Sequence, residues 1–531
     1  MREHDVMHPD SISSDPRPDA LDTGGRLTLD RWITAHAEGT PSRPAIVDRG
    51  VVISYGELES RAVALAHALG RAGHGRGARI ATITGSTTDQ VVLLLACAKA
   101  GAMLVPLSWR LTAGELAQQL QIADPSLLLV EEDHLPVAED AVERLGEPAL
   151  GSTTLGAEGV ESSVPPARDP LPTAAPRPED GLLMLFTSGT TSAPKAVVLT
   201  QANCVWVNRS LQGAAPLTSE DVVLQILPQH HVAGWNVQPL LAWQQGAQVV
   251  LERTFDAGRA LALIERHRAT ATMGVPTTYR ALLQHPHLAE RDLSSLRTAI
   301  VGGGMLDQRA IEELAGRGVE LRQGYGLTEA APNVALTRDA SDAGTTGRAY
   351  PHVELALLVE DTIVHGAGTG ELLVRSPAVF PGYFRDPAAT AQTMREGWLR
   401  TGDLVELDAD GRVTIVDRVK DIVRSGAESI APIEVELALL EHPRVAEAAV
   451  AGVPSERWGE ELVAWLVLTA EVDEQELRSH LETRLAGFKH PKQIVVVESI
   501  PRTSSGKPLR RVLAASLTGS PTGAPTDRTQ V

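Results

Sequence analysis

A loop of small and hydroxylated residues with one lysine is the segment of this chain best suited to chemistry. Residues 187–197 read TSGTTSAPKAV and follow an apolar run at 182–186 that predicts a buried strand. Short side chains leave backbone N–H groups and hydroxyls open to polyphosphate oxygens, and Lys195 adds a positive charge. The P-loop of nucleotide hydrolases is excluded, because Pro194 and Ala196 flank that lysine where the P-loop needs Gly before it and Ser or Thr after it. A surface loop rich in Ser and Thr is the alternative.

The segment QGYGLTEA at 323–330 combines three chemically distinct groups. Tyr325 offers an aromatic face for a base, Thr328 a hydroxyl for an anionic oxygen, and Glu329 a hard carboxylate for Mg²⁺. Because glycines flank the tyrosine, a glycine-rich turn at the start of a helix is the alternative interpretation of this segment. The pattern therefore favours a nucleotide site without proving one.

Three further segments carry groups that suit a nucleotide or an acid. The three glycines of VGGGM at 301–305 leave the main chain bare, so a flat ligand can approach it closely. Asp403 in WLRTGDL can accept two hydroxyl protons, as in a ribose clamp, although Asp after Gly is also a common turn residue. The adjacent His230 and His231 suggest a metal, but neighbours on an extended segment face opposite ways and no Cys or carboxylate cluster is near. We therefore predict no metal at the histidines.

Together with PRTSSGKPLR at 501–510, these segments resemble the motifs of the adenylate-forming superfamily, which includes acyl-CoA synthetases, luciferases and carrier-loading adenylation domains. The matching segments cover almost the whole chain. The resemblance implies that ATP and a carboxylic acid form an acyl-adenylate, whose acyl group then passes to the thiol of CoA. It implies ATP or AMP, Mg²⁺ and CoA as cofactors.

The resemblance also implies roles for single residues. Tyr325 would pack on adenine, Thr328 would bind the α-phosphate, and Glu329 would coordinate Mg²⁺. Lys507 would neutralise the carboxylate oxygen and α-phosphate during attack, and Asp403 would bind the ribose hydroxyls with help from an arginine. The implied nucleotide contacts are Thr187, Ser188, Gly189, Thr190, Thr191, Lys195, Gly302, Gly303, Gly304, Gly324, Tyr325, Gly326, Asp403 and Arg418.

Three other matches concern the acid, the thiol and the movement between two domain poses. His231 would gate the carboxylate pocket, Lys420 would be the hinge, and Gly426 would let a pantetheine arm pass where a Cβ would crowd it. The implied catalytic residues are Lys507, Glu329, Thr328, His231 and Gly426. The implied acyl pocket contains His231, Trp235, Val275, Met305 and Asn333.

The chain departs from the family's phosphate loop at Ser192 and Ala196, where the family has glycine. If these positions need positive φ, each Cβ costs about 1–2 kcal/mol, and each side chain also crowds the β- and γ-phosphates. Loss of preorganised phosphate contacts lowers a rate by about 10². An adenylate lacks those phosphates, so we expect a weakened adenylation step and an intact thioester-forming step.

Three alternatives to an acyl-CoA ligase that makes its own adenylate remain open at this point. The first is an enzyme that only converts a supplied acyl-adenylate into acyl-CoA. The second loads a carrier-protein phosphopantetheine, and the third is an inactive nucleotide-binding relic. Neither the acid nor the oligomeric state can be read from these residues.

Composition excludes several classes of protein. The 531 residues are 43% hydrophobic and carry a net charge of −19, which indicates a soluble globular protein and disfavours nucleic acid or an anionic membrane as a partner. The longest apolar run, 91–98, is far below the ~20 residues that cross a bilayer, and the N-terminus lacks the apolar core of a secretory signal. Cys97 and Cys204 lie in apolar surroundings and are predicted core residues. We expect a cytoplasmic protein.

Elements that could position these groups alternate along the chain. Helical spacing from Leu58 to Leu69, a strand at 79–84, a helix at 89–100 and a strand at 103–107 predict largely parallel sheets covered by helices. We therefore predict an α/β fold with a large multi-sheet N-terminal domain and a small mobile α+β C-terminal lid. The predicted boundaries are 27–419 and 420–515, with disordered tails at 1–26 and 516–531 and a proline-rich connection at 146–180.

Overall fold

The computed structural model describes residues 27–146, 152–155, 160, 164, 175–187, 194–425, 428–455, 457–503 and 507–518. The strands are β1 (Pro44–Asp48), β2 (Val51–Ser54), β3 (Arg79–Ile83), β4 (Met103–Leu107), β5 (Leu127–Glu131), β6 (Ser152–Leu155), β7 (Gly181–Thr187), β8 (Lys195–Thr200), β9 (Val222–Gln225), β10 (Gln248–Leu251), β11 (Ala271–Gly274), β12 (Thr298–Val301), β13 (Leu321–Tyr325), β14 (Ala335–Leu336), β15 (Arg348–Ala349), β16 (Glu354–Val359), β17 (Thr362–Val364), β18 (Gly368–Arg375), β19 (Met394–Arg395), β20 (Trp398–Leu407), β21 (Val413–Arg418), β22 (Val423–Ser425), β23 (Glu428–Ile430), β24 (Val445–Ser455), β25 (Gly459–Leu468) and β26 (Gln493–Val496).

The helices cover the faces of these sheets. They are α1 (Thr34–Gly39), α2 (Tyr55–Arg71), α3 (Thr88–Ala100), α4 (Ala113–Ala123), α5 (Leu135–Leu145), α6 (Gln201–Ala214), α7 (Ala233–Asn236), α8 (Pro239–Gln245), α9 (Ala257–His267), α10 (Pro276–Gln284), α11 (Gln308–Gly316), α12 (Pro387–Thr393), α13 (Pro432–Leu440), α14 (Glu474–Glu482) and α15 (Arg510–Thr518).

Two largely parallel sheets form most of the N-terminal part. One has the order β15-β14-β13-β12-β11-β9-β10-β1-β2, and the other has the order β6-β5-β3-β4-β7-β8. Their central strands pair in parallel, and antiparallel partners occur at the edges. The parallel pairing confirms the predicted α/β class. In such sheets the carboxyl ends of the parallel strands bring the loops that follow them to one edge.

Helix α3 shows why the central layer is apolar on all sides. The hydroxyl of Thr87 caps its N-terminus by accepting from the Gln90 N–H, and Gly101 ends it in the left-handed conformation at φ +69°. All its positions from Gln90 to Ala98 are buried in the main core. Such a helix gains stability from apolar burial on every face rather than on one stripe.

Two smaller sheets follow in the chain. The antiparallel sheet β17-β16-β18-β20-β19 also pairs β21 with β20, and the C-terminal sheet has the order β23-β22-β25-β24 with β26 beside β25. The C-terminal sheet packs with α13, α14 and α15 around separate apolar clusters. These features confirm the smaller α+β domain.

Several predicted boundaries differ from the structure. The segment 417–426 is charged and has no strong period, so the sequence predicts a connection there. It contains the end of β21 and all of β22, because ladder pairing with β20 and β23 overrides the polar composition. The sequence predicts strands near 446–451 and 463–468 and a helix at 474–486. β24 and β25 are longer since they form one extended hairpin, whereas α14 ends at Glu482. Helix α15 continues to Thr518, beyond the predicted limit of the domain at 515.

Both cysteines are free and buried, as predicted for core residues. Burial raises the pKa of the Cys204 thiol to about 12, so it stays protonated and unreactive near neutral pH. Within the described ranges, no helix is both long and apolar enough to cross a lipid bilayer.

Candidate functional site

A buried carboxylate, Asp403, lies between a phenol and a guanidinium. It sits on β20 directly opposite Arg418 on β21, and the Arg418 Nε lies 2.7 Å from Asp403 Oδ1. The Tyr325 hydroxyl, at the end of β13, donates to Asp403 Oδ2 at 2.5 Å. Three residues that are distant in sequence therefore meet at one point, as the sequence predicted.

Electrostatics keeps the Tyr325 phenol protonated. Burial and the neighbouring Asp403 carboxylate raise the pKa of Tyr325 well above its usual value near 10. The phenol therefore remains a hydrogen-bond donor at neutral pH. Asp403 keeps lone pairs for further hydroxyl donors, because a carboxylate has about four acceptor positions.

The glycines that flank Tyr325 shape the backbone around it. A Cβ on Gly326 would lie 1.3 Å from the carbonyl oxygen of Pro332, so no side chain fits there. The main chain then enters a short 3₁₀ turn, Thr328–Ala330, which carries the predicted phosphate and Mg²⁺ ligands. Gly326 is needed for close packing, and Gly324 has looser contacts of 3.5 Å and beyond.

Tyr383 links two of the predicted ligands and was missed in the sequence. Its hydroxyl donates to Glu329 Oε1 at 2.8 Å, and the Lys195 ammonium lies 4.9 Å from its ring centroid. Burial and Glu329 raise the pKa of Tyr383, so it stays a donor. The only sequence signal was an aromatic residue in PGYF at 381–384, which by itself suggests a turn.

The glycine segment after β12 borders the predicted acyl side. Gly303 has φ +76°, and a Cβ built on it would lie 3.5 Å from the Val275 side chain. Gly302 is buried, Gly304 is exposed, and Met305 is half-buried. The structure thus brings Val275 and the glycines together, as expected for the wall of a pocket.

The two histidines lie in the turn before α7. His230 is buried and His231 half-buried, with ring centroids 4.5 Å apart. Burial, together with His231 and Arg110, holds the pKa of His230 well below its usual value, so this ring stays neutral. Among the described residues, no group of three or more His, Cys, Asp or Glu side chains is arranged to hold a metal ion.

Trp235 differs from its predicted role as a wall of the acyl tunnel. It has no accessible surface, and its indole N–H donates to the Gln229 carbonyl at 2.6 Å. It therefore supports the histidine segment from behind rather than lining a pocket. Asn333 is also buried, and its amide lies 3.4 Å from the Asn236 carbonyl.

The C-terminal domain places Lys507 over this crevice. The charges of Asp403 and Glu329 of the large domain, and those of Arg418 and Lys420, act on the Lys507 ammonium and shift its pKa. Its backbone N–H donates to the Thr503 hydroxyl at 3.1 Å, and the Thr503 N–H donates back to the Lys507 carbonyl at 2.8 Å. Desolvation by the surrounding protein, together with Arg418, lowers the pKa of Lys507.

Part of the predicted site lies outside the described residues, namely Ser188, Gly189, Thr190, Thr191, Ser192 and Gly426. Thr187 and Lys195, which bound the phosphate loop, pair with each other at the end of the β7–β8 hairpin. Lys420 follows β21, and burial and Arg418 lower its pKa.

Ala196 corrects one premise drawn from the sequence. It lies in regular antiparallel pairing with Phe186, and its carbonyl accepts from the Phe384 N–H at 2.8 Å. Its side chain is buried in the core beside the second parallel sheet. Its φ is not positive, so the predicted backbone strain does not arise at this position.

The donors fit Mg²⁺ that arrives with a nucleotide. Glu329 provides one carboxylate, and Mg²⁺ is usually bound by one or two carboxylates together with substrate phosphates. Two lysines supply positive charge: Lys195, over the Tyr383 ring that bonds Glu329, and Lys507, on which the Glu329 charge acts. The residues present therefore suit a nucleotide–Mg²⁺ complex better than a permanently held metal.

Comparisons with known proteins agree with this geometry. The chain matches the family model described as AMP-binding enzyme over residues 33–384 and that of the AMP-binding enzyme C-terminal domain over 434–507. It is 36% identical to a feruloyl-CoA synthase of Amycolatopsis sp, covering 91% of this chain and 97% of that protein. It is 34% identical to the fatty acid–[acyl-carrier-protein] ligase ScoC of Streptomyces coeruleorubidus, with 92% and 96% covered.

A solved structure extends the similarity to the whole fold. O-succinylbenzoate coenzyme A synthetase (MenE) from Bacillus subtilis, in complex with ATP and magnesium ion, superposes with a TM-score of 0.81 at 28% identity, covering 91% of this chain and 98% of that one. The chain therefore belongs to the AMP-binding enzyme family, in the acyl-CoA synthetase branch of the adenylate-forming superfamily, and is an acid–thiol ligase.

Proposed function

We propose that this ligase converts a carboxylic acid to acyl-CoA through an acyl-adenylate, with a slow first step. The observation that supports this proposal most directly is that Tyr325, Asp403, Arg418 and Lys507 come together at one crevice. In the first step a carboxylate oxygen attacks the α-phosphorus of ATP and pyrophosphate leaves. In the second a thiol attacks the acyl carbon and AMP leaves.

Some of these residues orient the nucleotide, and others stabilise the negative charge on its phosphates. Tyr325 places its ring beside a base while its hydroxyl and Arg418 hold Asp403 ready for the ribose. Lys507 stabilises the negative charge that builds up at the α-phosphate during attack, and bound Mg²⁺ would add positive charge at the phosphates beside Glu329. Thr328 offers its hydroxyl to an α-phosphate oxygen.

We attribute the slow adenylation step to Ser192 alone. Ala196 points its methyl group into the core and has ordinary strand geometry, which supports leaving it out of the effect. Ser192 stands in the loop between Thr187 and Lys195, where a triphosphate would contact the main chain. We expect a side chain there to crowd the β- and γ-phosphates, which the acyl-adenylate lacks.

Two half-reactions test this division. ATP–pyrophosphate exchange reports adenylation, and thioester formation from a synthetic acyl-adenylate reports the second step. We expect Ser192→Gly to raise exchange by about 10-fold or more and to leave thioester formation within about 2-fold. The matched control Ala196→Gly should raise neither rate, because only a core methyl group is lost. Fast exchange in the unmodified chain would contradict the proposal of a slow first step.

The acceptor that we propose is CoA rather than a carrier protein. Trp458 and Phe488 are exposed large aromatic residues on the C-terminal domain, with relative accessibilities of 37% and 44%. Cations lie over their rings: Arg457 is 4.7 Å and Lys492 5.8 Å from the Trp458 centroid, and Lys489 is 5.8 Å from that of Phe488.

This aromatic and basic cluster suits a phosphorylated nucleotide in a protein of net charge −19. Trp458 precedes Gly459, which pairs with Ser425 next to the predicted pantetheine glycine, Gly426. The position therefore supports a thiol arm that extends from a nucleotide near Trp458 toward the crevice. CoA carries such a nucleotide, and a carrier-protein phosphopantetheine does not.

Acceptors that differ only in the nucleotide discriminate between these alternatives. With an acyl-adenylate supplied, we expect Trp458→Ala to raise the KM for CoA by about 10-fold and to leave that for free phosphopantetheine unchanged. Equal rates with CoA and phosphopantetheine in the unmodified enzyme, combined with a lower KM for a holo carrier protein, would favour carrier loading. An absence of any thioester product would favour the inactive relic.

A further inference from the structure

A small cavity lies behind the glycine segment, at the acyl side of the crevice. Its volume is about 10 Å³, which is the size of one water molecule or one hydroxyl group. The residues that line it include the apolar Ala233, Val237 and Met273 and two glutamines, Gln225 and Gln238. α7, which follows the histidine turn, therefore forms part of its wall.

The two amides present complementary atoms without partners. Within the described part of the chain, Gln225 Oε1 and Gln238 Nε2 have no hydrogen-bond partner, although both side chains are at least 96% buried. The Gln225 amide nitrogen donates to the carbonyls of Leu227 and Gly234, which fixes its oxygen as the free acceptor. Buried polar atoms are rarely left unpaired, so one unpaired acceptor and one unpaired donor on two residues that line the same cavity require an explanation.

The backbone at Gln238 is strained. Its φ of +78° and ψ of −49° are unusual for any residue with a side chain, and the residue directly precedes α8. Strain of this kind persists where the surrounding structure holds a side chain in a required position. At Gln238 a glycine would avoid the strain but would carry no donor.

Met273 lies next to both the cavity and the glycine segment. Its terminal methyl group would lie 2.9 Å from a Cβ built on Gly302, so it packs directly on the glycine segment. The same side chain lines the cavity. A methionine changes rotamer easily, so a shift of its thioether would open the cavity to the distal end of an acyl group.

We propose that this cavity selects acids whose apolar body ends in a hydroxyl group. The hydroxyl donates to Gln225 Oε1 and accepts from Gln238 Nε2, so both unpaired atoms are satisfied. An ether can only accept, an ammonium can only donate, and a carboxylate is repelled by the amide oxygen. The inference deepens the proposed function, on which it rests, by naming the chemical class of the acid.

Binding of paired analogues tests the inference without requiring the slow adenylation step. The probes are acyl-sulfamoyl adenosines made from two acid pairs, an aryl acid with and without a para hydroxyl and a medium-chain acid with and without a terminal hydroxyl. We expect the hydroxylated member of at least one pair to bind about 10- to 100-fold more tightly, because the plain analogue leaves both amides unpaired. Gln238→Met, which is nearly isosteric, should remove at least 10-fold of that preference without lowering Tm.

A buried glutamine with satisfied hydrogen bonds provides the matched control. Gln201 accepts from the Leu29 N–H and donates to the Ala98 carbonyl, both at 2.8 Å, so Gln201→Met should lower Tm and leave the preference unchanged. Equal binding of both members of each pair, together with a lower Tm for Gln238→Met, would mean that the cavity holds only a structural water and would overturn the inference. If no analogue binds at all, the assignment of the AMP crevice fails, and this outcome is distinct from equal binding.

Discussion

Tyr383 shows how one side chain couples the phosphate loop to the carboxylate predicted to bind Mg²⁺. Its hydroxyl holds Glu329 while its ring faces the Lys195 ammonium. Hydrogen bonds to charged groups are worth about 1.5–3 kcal/mol, so loss of the contact should free Glu329 to rotate away from the phosphates. Tyr383 is thus a positioning residue for the first half-reaction.

We predict that Tyr383→Phe keeps the cation–π contact and loses only the hydrogen bond. The Mg²⁺ concentration for half-maximal pyrophosphate exchange should rise about 10-fold, while conversion of a supplied acyl-adenylate should stay unchanged. Tyr279→Phe is the control, since that phenol donates to the Ile300 carbonyl in the core at 2.9 Å. An unchanged Mg²⁺ dependence in Tyr383→Phe would refute this role.

For single residues, the sequence predicted those that stand in a recognisable motif. It missed residues whose importance comes only from a contact in the folded protein. Tyr325, Asp403 and Arg418 were predicted together and do meet. Tyr383 lies 54 residues from Glu329, so only the fold reveals the pair. Trp235 was placed on the tunnel wall by its position after the histidines, but burial of its ring could not be read from that spacing.

Among the elements, the turn after β13 has the tightest backbone packing in the site. It passes so close to Pro332 that Gly326 has no room for a Cβ, and it carries Tyr325 on one side and Thr328 and Glu329 on the other. Forcing a methyl group into packed structure costs about 1–3 kcal/mol and moves the backbone. A small shift here would displace groups that must act together.

We predict that Gly326→Ala lowers Tm and abolishes AMP binding measured by calorimetry. The control is Gly316→Ala at the end of α11, where no atom lies within 4 Å of an added Cβ and φ is not positive. That substitution should leave binding intact and change stability by at most about 1 kcal/mol in the favourable direction. Normal AMP binding by Gly326→Ala would show that the turn tolerates a side chain.

The elements themselves were mostly predictable from period and composition. Strands β3 and β4 and helix α3 were expected within one or two residues, because continuous apolar runs identify layers buried on both faces. β22 was missed because three residues with an arginine and a serine carry no period, and pairing with β23 and β25 creates the strand. Register and hairpin length depend on partners that a single segment does not specify.

The whole molecule is arranged with its C-terminal domain over the crevice, so that Lys507 faces Asp403 and Glu329. We propose that this arrangement serves the first half-reaction, in which the lysine carries a positive charge. The domain boundary at Lys420 and the second orientation of the lid remain predictions. Separate cores for the C-terminal domain are compatible with its rotation as a unit.

The lowered pKa of Lys507 predicts an alkaline limit for adenylation. Burial and Arg418 favour the neutral amine, so the ammonium is lost at a pH below the ordinary lysine value of about 10.4. Pyrophosphate exchange should be constant at lower pH and fall as pH rises through the lowered pKa. In Lys507→Arg the fall should move to higher pH, since guanidinium keeps its proton, and identical profiles would contradict the assignment.

The most direct measurement compares both half-reactions in the unmodified chain and in Lys507→Ala. The account predicts that Lys507→Ala loses pyrophosphate exchange by about 10² or more while thioester formation from a synthetic acyl-adenylate and CoA stays within about 3-fold. That result would show that the C-terminal domain contributes different residues to the two half-reactions at one AMP crevice. Equal loss of both reactions in a variant with an unchanged Tm would contradict it.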